Sequence, residues 1–253
     1  DLAVLCTPAA AVPALIRELG EKGTRAAIVL TAGLKQPVAA GGPTLEQAML
    51  EAARPFTLRI LGPNCIGALV PGAGLNASFA PGSAQDGQLA FVTQSGALAT
   101  AMLDWANGQG IGFSHFISLG DSADVDFGDL LDYLASDART RAILMYVESV
   151  KGARKFMSVA RAAARNKPVI VVKAGRAPEG ARAAASHTGA MAGSDTVFDA
   201  AVRRAGMLRV DSLDALFDAA RTLAGRMPWR GDRLALITNG GGAGVLAADA
   251  LAL

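Results

Sequence analysis

Leu89-Ala90-Phe91-Val92-Thr93-Gln94-Ser95-Gly96 runs from an apolar, β-prone stretch into a turn of small polar residues, and Ala97 to Ala106 continues with a helical pattern. Strand, tight turn, helix start is the unit from which parallel sheets with helical crossovers are built. The unit recurs near the far end of the chain, where Leu234-Ala235-Leu236-Ile237-Thr238-Asn239-Gly240-Gly241 matches it position by position in character. Small residues let the backbone approach a ligand closely, and the free N–H groups of a helix start, aided by the helix dipole, bind anions. Ser95 and Gly96 in one turn, and Gly240, Gly241 and Gly242 in the other, are therefore candidate phosphate ligands. The two helix starts are expected to face one shared anion.

Working outward, apolar runs at Leu2 to Cys6, Ala26 to Thr31, Arg59 to Leu61, Phe113 to Leu119, Ala142 to Glu148, Val169 to Lys173 and Leu234 to Thr238 read as further strands. Amphipathic stretches between them read as helices: Ala10 to Lys22, Leu45 to Ala53, Asp129 to Ser136, Ala153 to Arg165, Asp195 to Ala205 and Leu213 to Leu223. The class is α/β. Between Gly62 and Gly87 the alternation lapses into a Gly/Pro/Asn-rich segment, which marks a domain boundary, and a second boundary falls near Met227 to Asp232.

Composition narrows the function. Half of the 253 residues are apolar (51%), enough for a sizeable core, and 24 basic residues face 22 acidic ones without long runs of one sign. That balance gives no footprint for nucleic acid or an anionic membrane and favours small-molecule chemistry. No apolar run approaches the ~18 residues of a membrane helix, and no signal-peptide pattern is present, so the chain reads as cytoplasmic. Cys6 and Cys65 form no Cys-x-x-Cys pair and offer neither a disulfide framework nor a zinc site; no metal site is expected. Asp1 runs straight into a strand pattern and the last residues stop inside a helical one, so the chain reads as a piece of a longer polypeptide.

Chemistry concentrates on few side chains. His187, one of two histidines, lies in Ala185-Ser186-His187-Thr188-Gly189-Ala190, among small residues without a helical or strand period. A largely neutral imidazole can act as a nucleophile through one nitrogen while the other is held by an acceptor, so a covalent phosphohistidine is available. The blander alternative is a surface histidine without a role. His115 sits inside an apolar run and reads as a core histidine. Glu148 ends a strand at the carboxyl edge, where ligand sites of open α/β sheets gather; otherwise it is a solvated strand end. Gly242-Ala243-Gly244-Val245-Leu246-Ala247 fits the dinucleotide fingerprint, yet the acidic residue that should follow about 20 positions on falls beyond the last residue. Thr93 occupies the position where a serine-hydrolase elbow needs glycine, so Ser95 reads as a phosphate donor and not as a nucleophile.

Taken in order, Gly62-Pro63-Asn64-Cys65, Thr93-Gln94-Ser95-Gly96, Gly120 to Gly128, Ser186-His187-Thr188-Gly189 and Thr238-Asn239-Gly240-Gly241-Gly242 resemble the motifs of the NDP-forming acyl-CoA synthetase superfamily. This superfamily includes ADP-forming acetate–CoA ligase and the α subunit of succinyl-CoA synthetase. The resemblance implies a Rossmann-like CoA-binding half-domain (residues 1–80), a flavodoxin-like parallel-sheet ligase domain (87–226) and the start of a second ligase domain (231–253). It further implies that His187 is transiently phosphorylated, with Glu148 accepting a hydrogen bond from its ring. The loops with Thr7, Pro8, Thr31, Gly33, Asn64 and Cys65 would contact CoA, the thiol ending near Asn64 and Cys65.

The implied reaction converts acyl-CoA, phosphate and ADP into carboxylate, CoA and ATP. ATP or ADP with Mg would bind an ATP-grasp domain or subunit outside this chain; homo-oligomerisation, the acyl group and the nucleotide stay open. An alternative of another class is the acyl-CoA-sensing region of a bacterial protein lysine acetyltransferase, with a fused acetyltransferase domain, which the segments Ala205 to Val210 and Arg230 to Arg233 also resemble. A third, an NAD-binding Rossmann protein, would need the missing ribose-binding acid.

Overall fold

The computed structural model describes residues 1–39, 41–180, 182, 194–223 and 234–252. Its strands are β1 (Leu2–Leu5), β2 (Ala26–Val29), β3 (Arg59–Leu61), β4 (Gly67–Val70), β5 (Leu75–Ser78), β6 (Asp86–Thr93), β7 (Phe113–Ser118), β8 (Ala142–Val147), β9 (Val169–Lys173) and β10 (Leu208–Val210). The α-helices are α1 (Val12–Glu21), α2 (Leu45–Ala53), α3 (Gly96–Gly108), α4 (Phe127–Ser136), α5 (Ala153–Asn166), α6 (Asp195–Ala205), α7 (Leu213–Leu223) and α8 (Gly241–Ala252). None of them is long and apolar enough to cross a membrane.

Two sheets result. A three-stranded parallel sheet has the order β1-β2-β3, and a seven-stranded sheet the order β10-β9-β8-β6-β7-β4-β5. In the larger sheet β7, β6, β8, β9 and β10 run parallel, whereas β4 pairs antiparallel with both β7 and β5. The continuous apolar run of β8 is explained by burial on both faces. Ile143, Met145 and Val147 pack with residues of α4, α5 and α6, while Leu144 joins Phe91, Leu103 of α3 and Phe217 of α7 on the opposite side. Each such side chain contributes about 1.5–3 kcal/mol on burial.

Local chemistry fixes the helix starts. Thr44 and Gln47 form a reciprocal capping box on α2, with Thr44 Oγ1 accepting from Gln47 N at 3.2 Å and Gln47 Oε1 from Thr44 N at 2.9 Å. Asp126 caps α4 through Gly128 N (2.7 Å) and Asp129 N (3.1 Å), and Asp129 returns a bond to Asp126 N at 3.0 Å.

The structure adds two elements that the sequence reading lacks and corrects one. The segment 62–87, where the sequence suggests a domain boundary, carries β4 and β5, and this hairpin extends the larger sheet through β7. The signal was hidden because the strands are short and Gly67 takes φ +111°, a conformation closed to other residues at a spot where a Cβ would meet the Ala77 oxygen at 2.1 Å. β10, three residues long, was not anticipated. Leu234 to Thr238 is not a strand: no partner strand lies beside it among the described residues, and Ile237 is 98% exposed. A small apolar cluster of Ile28, Cys65, Ala68, Ala77 and Ile117 joins the two sheets.

Candidate functional site

Because β1, β2 and β3 are parallel neighbours, the loops leaving their carboxyl ends lie side by side. These loops are bonded to one another. Thr31 Oγ1 donates to the Thr7 carbonyl at 2.7 Å, and Asn64 N donates to the Thr31 carbonyl at 3.0 Å. Pro8 leads into the first turn ahead of α1, and Gly33 takes φ +85°. Among the described residues the buried Thr7 Oγ1 has no hydrogen-bond partner.

The third loop, Gly62 to Cys65, is pressed onto the loop that follows β7. Asp121 N donates to the Pro63 carbonyl and Ala123 N to the Gly62 carbonyl, both at 2.9 Å. Gly120 (φ +56°) permits this approach, since a Cβ there would meet the Pro63 oxygen at 2.3 Å, and Gly62 (φ +101°) lets the same loop pack on β2, where a Cβ would meet the Val29 oxygen at 2.4 Å. Cys65 is buried beneath it, its Sγ 3.5 Å from the Val29 carbonyl, and burial pushes its thiol pKa up to about 12. A thiol held there is protonated near neutral pH, the form that is not nucleophilic.

Above this junction opens a cavity of about 290 Å³. It is lined by Leu30, Ala32, Asn64, Cys65 and Ile66 together with Phe79, Gln94, Gly96, Ala97, Gly120 and Asp121. Asn64 and Cys65, expected near a thiol, thus share one space with Gly96, expected near a phosphate, while Ser95 lies beside it in the chain and not in its lining. Ser95 is the N-cap of α3, its Oγ accepting from Leu98 N at 3.3 Å. Thr93 Oγ1 accepts from Ser95 N (3.0 Å) and donates to Ser95 O (3.3 Å).

The repeated turn copies this in detail. Thr238 Oγ1 accepts from Gly240 N at 3.0 Å and donates to Gly240 O at 2.9 Å, and α8 begins at Gly241. Gly240, Gly241 and Gly242 do not line the cavity, however, and a Cβ on any of them would look into open space among the described residues.

Glu148 follows β8 and is buried, at the same carboxyl edge as Gln94. Gln94 Oε1 accepts from Glu148 N (2.8 Å) and Ser149 N (3.0 Å). Lys173, at the end of β9, donates to the Glu148 carbonyl at 2.9 Å and to Ala174 O. Its ammonium is buried, 5.7 Å from the Phe198 ring centroid, and burial holds its pKa below the usual lysine value. Tyr146 is pushed up, by burial first and then by the Glu148 charge. Gln94, Lys173, Phe79 and Asp121 were not singled out from the sequence. Lys173 carried the same signal as Glu148, an ionisable residue ending an apolar strand. His187 lies outside the described residues. His115 is a core histidine, edge-on to Tyr133 with ring centroids 5.4 Å apart. Among the described residues no cluster of His, Cys, Asp or Glu is arranged to hold a metal ion.

The family model of the succinyl-CoA ligase-like flavodoxin domain matches residues 86–223, and that of a CoA binding domain matches residues 1–71. The chain belongs to the NDP-forming acyl-CoA synthetase superfamily. It is 45% identical over 250 residues to subunit alpha of ADP-forming acetate–CoA ligase I of Pyrococcus furiosus, covering 99% of this chain and 54% of that one. It is 43% identical to ADP-forming acetate–CoA ligase I of Archaeoglobus fulgidus, covering 99% of this chain and 36% of that protein. Among solved structures, dinucleotide forming acetyl-coenzyme A synthetase 1 of Ca. Korarchaeum cryptofilum, in complex with phosphate and ADP, superposes with a TM-score of 0.92 at 40% identity, over 100% of this chain and 54% of that one. The synthetase relatives are thus longer: the chain spans about half of an α subunit and about a third of the Archaeoglobus protein. The fold is the expected one of a Rossmann-like CoA-binding part followed by a flavodoxin-like ligase part.

Proposed function

We propose that this chain is the acyl-CoA- and phosphate-handling part of an ADP-forming acid–CoA ligase. The observation that carries the reading is the single cavity shared by the Asn64–Cys65 loop and the start of α3. CoA would run along the bonded loops of Thr7, Pro8, Thr31 and Gly33, with the acyl thioester ending by Asn64 and Cys65. The Thr7 hydroxyl, unpartnered among the described residues, and the backbone groups of these loops suit a polar, extended ligand. Phosphate would take the free N–H groups of Gly96 and Ala97, with the Ser95 hydroxyl hydrogen available to it. A phosphate oxygen and the thioester carbon are then neighbours, and the approach is a matter of positioning.

Attack of that phosphate oxygen on the thioester carbon would release CoA and form an acyl phosphate; in the second step its phosphoryl group passes to His187 as the carboxylate leaves, with Glu148 holding the imidazole and stabilising its developing positive charge. The phosphohistidine then meets ADP on an ATP-grasp domain or subunit, where Mg would accompany the nucleotide. The turn at Gly240 to Gly242, built like that at Ser95, would supply the second helix start to the phosphoryl group once the remaining parts of the protein assemble. We place the division of labour at residues 1–80 for CoA, 87–226 for phosphoryl handling and 231–253 for the second helix start. A cytoplasmic setting suits these substrates.

The test uses the full-length protein with its nucleotide-binding part. Incubation with acetyl-CoA and labelled phosphate, or with labelled ATP, should give an acid-labile, base-stable label that His187→Ala abolishes while CoA binding is retained. Glu148→Gln should slow labelling by about 10²- to 10⁴-fold. Label surviving His187→Ala, or acid-stable label on serine, refutes the assignment.

A further inference from the structure

The Glu148 N–H, the Ser149 N–H and the Glu148 carbonyl are held by side chains from both neighbouring strands, whereas the Val147 carbonyl still accepts the backbone N–H of Ala174 at 2.9 Å. The ladder between β6 and β8 ends at Thr93 opposite Tyr146. One residue further, Gln94 Oε1 accepts the two successive N–H groups of Glu148 and Ser149, at 2.8 and 3.0 Å, and Gln94 Nε2 lies 3.5 Å from Ser149 Oγ. On the other flank the buried Lys173 ammonium donates to the Glu148 carbonyl at 2.9 Å. Gln94 also lines the cavity, immediately ahead of the N-cap of α3. A single side chain therefore connects the start of the helix proposed to bind phosphate to the residue proposed to hold the phosphorylated imidazole.

We infer that Gln94 is a positioning residue that couples the two steps of the reaction. It holds Glu148 in register with the phosphate turn, so that the phosphoryl group formed at α3 finds the Glu148-held imidazole in line. The inference rests on the proposed roles of Glu148 and His187. Two N–H groups converging on one amide oxygen fix the strand end more tightly than one bond does, and a misplacement of about 1 Å at a reacting group costs about 100-fold.

The experiment measures His187 labelling from acetyl-CoA and labelled phosphate in the full-length protein with its nucleotide-binding part. Gln94→Ala should slow labelling about 10- to 100-fold, while the acetyl-CoA concentration at half-saturation moves less than about threefold. In a cycle with Glu148→Gln, the double variant should be no slower than the slower single variant by more than about threefold, because Gln94 acts through Glu148. Gln94→Met, which keeps length and volume but removes the amide acceptor, should reproduce the Ala result and serves if Ala lowers the unfolding midpoint below the assay temperature. Labelling within about threefold of wild type in both Gln94 variants, or rate losses that multiply fully in the double variant, overturns the inference. Wild-type protein that takes no label on His187 removes the proposed mechanism itself, and the inference with it.

Discussion

Gly120 lies directly against Pro63: a Cβ on Gly120 would stand 2.3 Å from the Pro63 carbonyl oxygen and 2.4 Å from that of Asn64. This contact joins the loop after β3 to the loop after β7, both of which line the cavity.

Gly120→Ala should therefore cost about 2–4 kcal/mol, combining the left-handed backbone penalty with a backbone clash. Gly74 has a similar φ of +65° but nothing within 4 Å of its Cβ position, so Gly74→Ala should cost only about 1 kcal/mol. Urea unfolding of the two variants measures the difference; equal losses would mean that the loop contact yields easily.

Phe79 follows β5 and is 59% exposed while forming part of the cavity wall. If the acyl group lies there, Phe79→Ala should raise the kcat/KM ratio for butyryl-CoA over acetyl-CoA by about 5- to 10-fold. An unchanged ratio would place the acyl tail elsewhere.

Cys65 and Cys6 should differ sharply in reactivity. With its pKa pushed up to about 12 by burial, Cys65 should resist iodoacetamide at about pH 8 in the native protein, whereas exposed Cys6 is alkylated. Mass analysis of tryptic peptides reads both sites, and unfolding with urea should expose the second. Rapid native labelling of Cys65 would contradict its packing against Val29.

His115 makes stability depend on pH. Its pKa is held below 6.5, mainly by burial, with Asp137 opposing and Arg139 and Lys167 adding to the shift. As pH falls through 6.5 the unfolded chain takes up a proton before the folded one, so this contribution to stability is lost below that value until native His115 also protonates. His115→Phe keeps an aromatic ring beside Tyr133 and should flatten the decline in urea midpoint between about pH 7 and about pH 5.5. A slope unchanged by the substitution would assign the decline to other groups.

Much of this molecule is written locally. The unbroken apolar run of β8, the capping pairs Thr44 with Gln47 and Asp126 with Asp129, and the helical periods of α3, α5 and α7 specify their own conformations. Propensity, period and capping act within a few residues. The candidates Asn64, Cys65, Ser95, Gly96 and Glu148 were legible because their residue types stand at strand ends and turns, where α/β proteins bind ligands. Which of them meet was not legible. The β4–β5 hairpin joins the larger sheet only because β7 offers its edge, and Leu234 to Thr238, equally apolar, forms no strand where no partner lies beside it among the described residues. Gln94 and Lys173 grip the Glu148 peptide across separations of 54 and 25 residues. Strand pairing and side-chain partners are contacts between distant parts of the chain, so the sequence by itself determined the elements and the reactive residue types, and the packing of the two sheets decided that Asn64, Cys65 and Gly96 line one cavity.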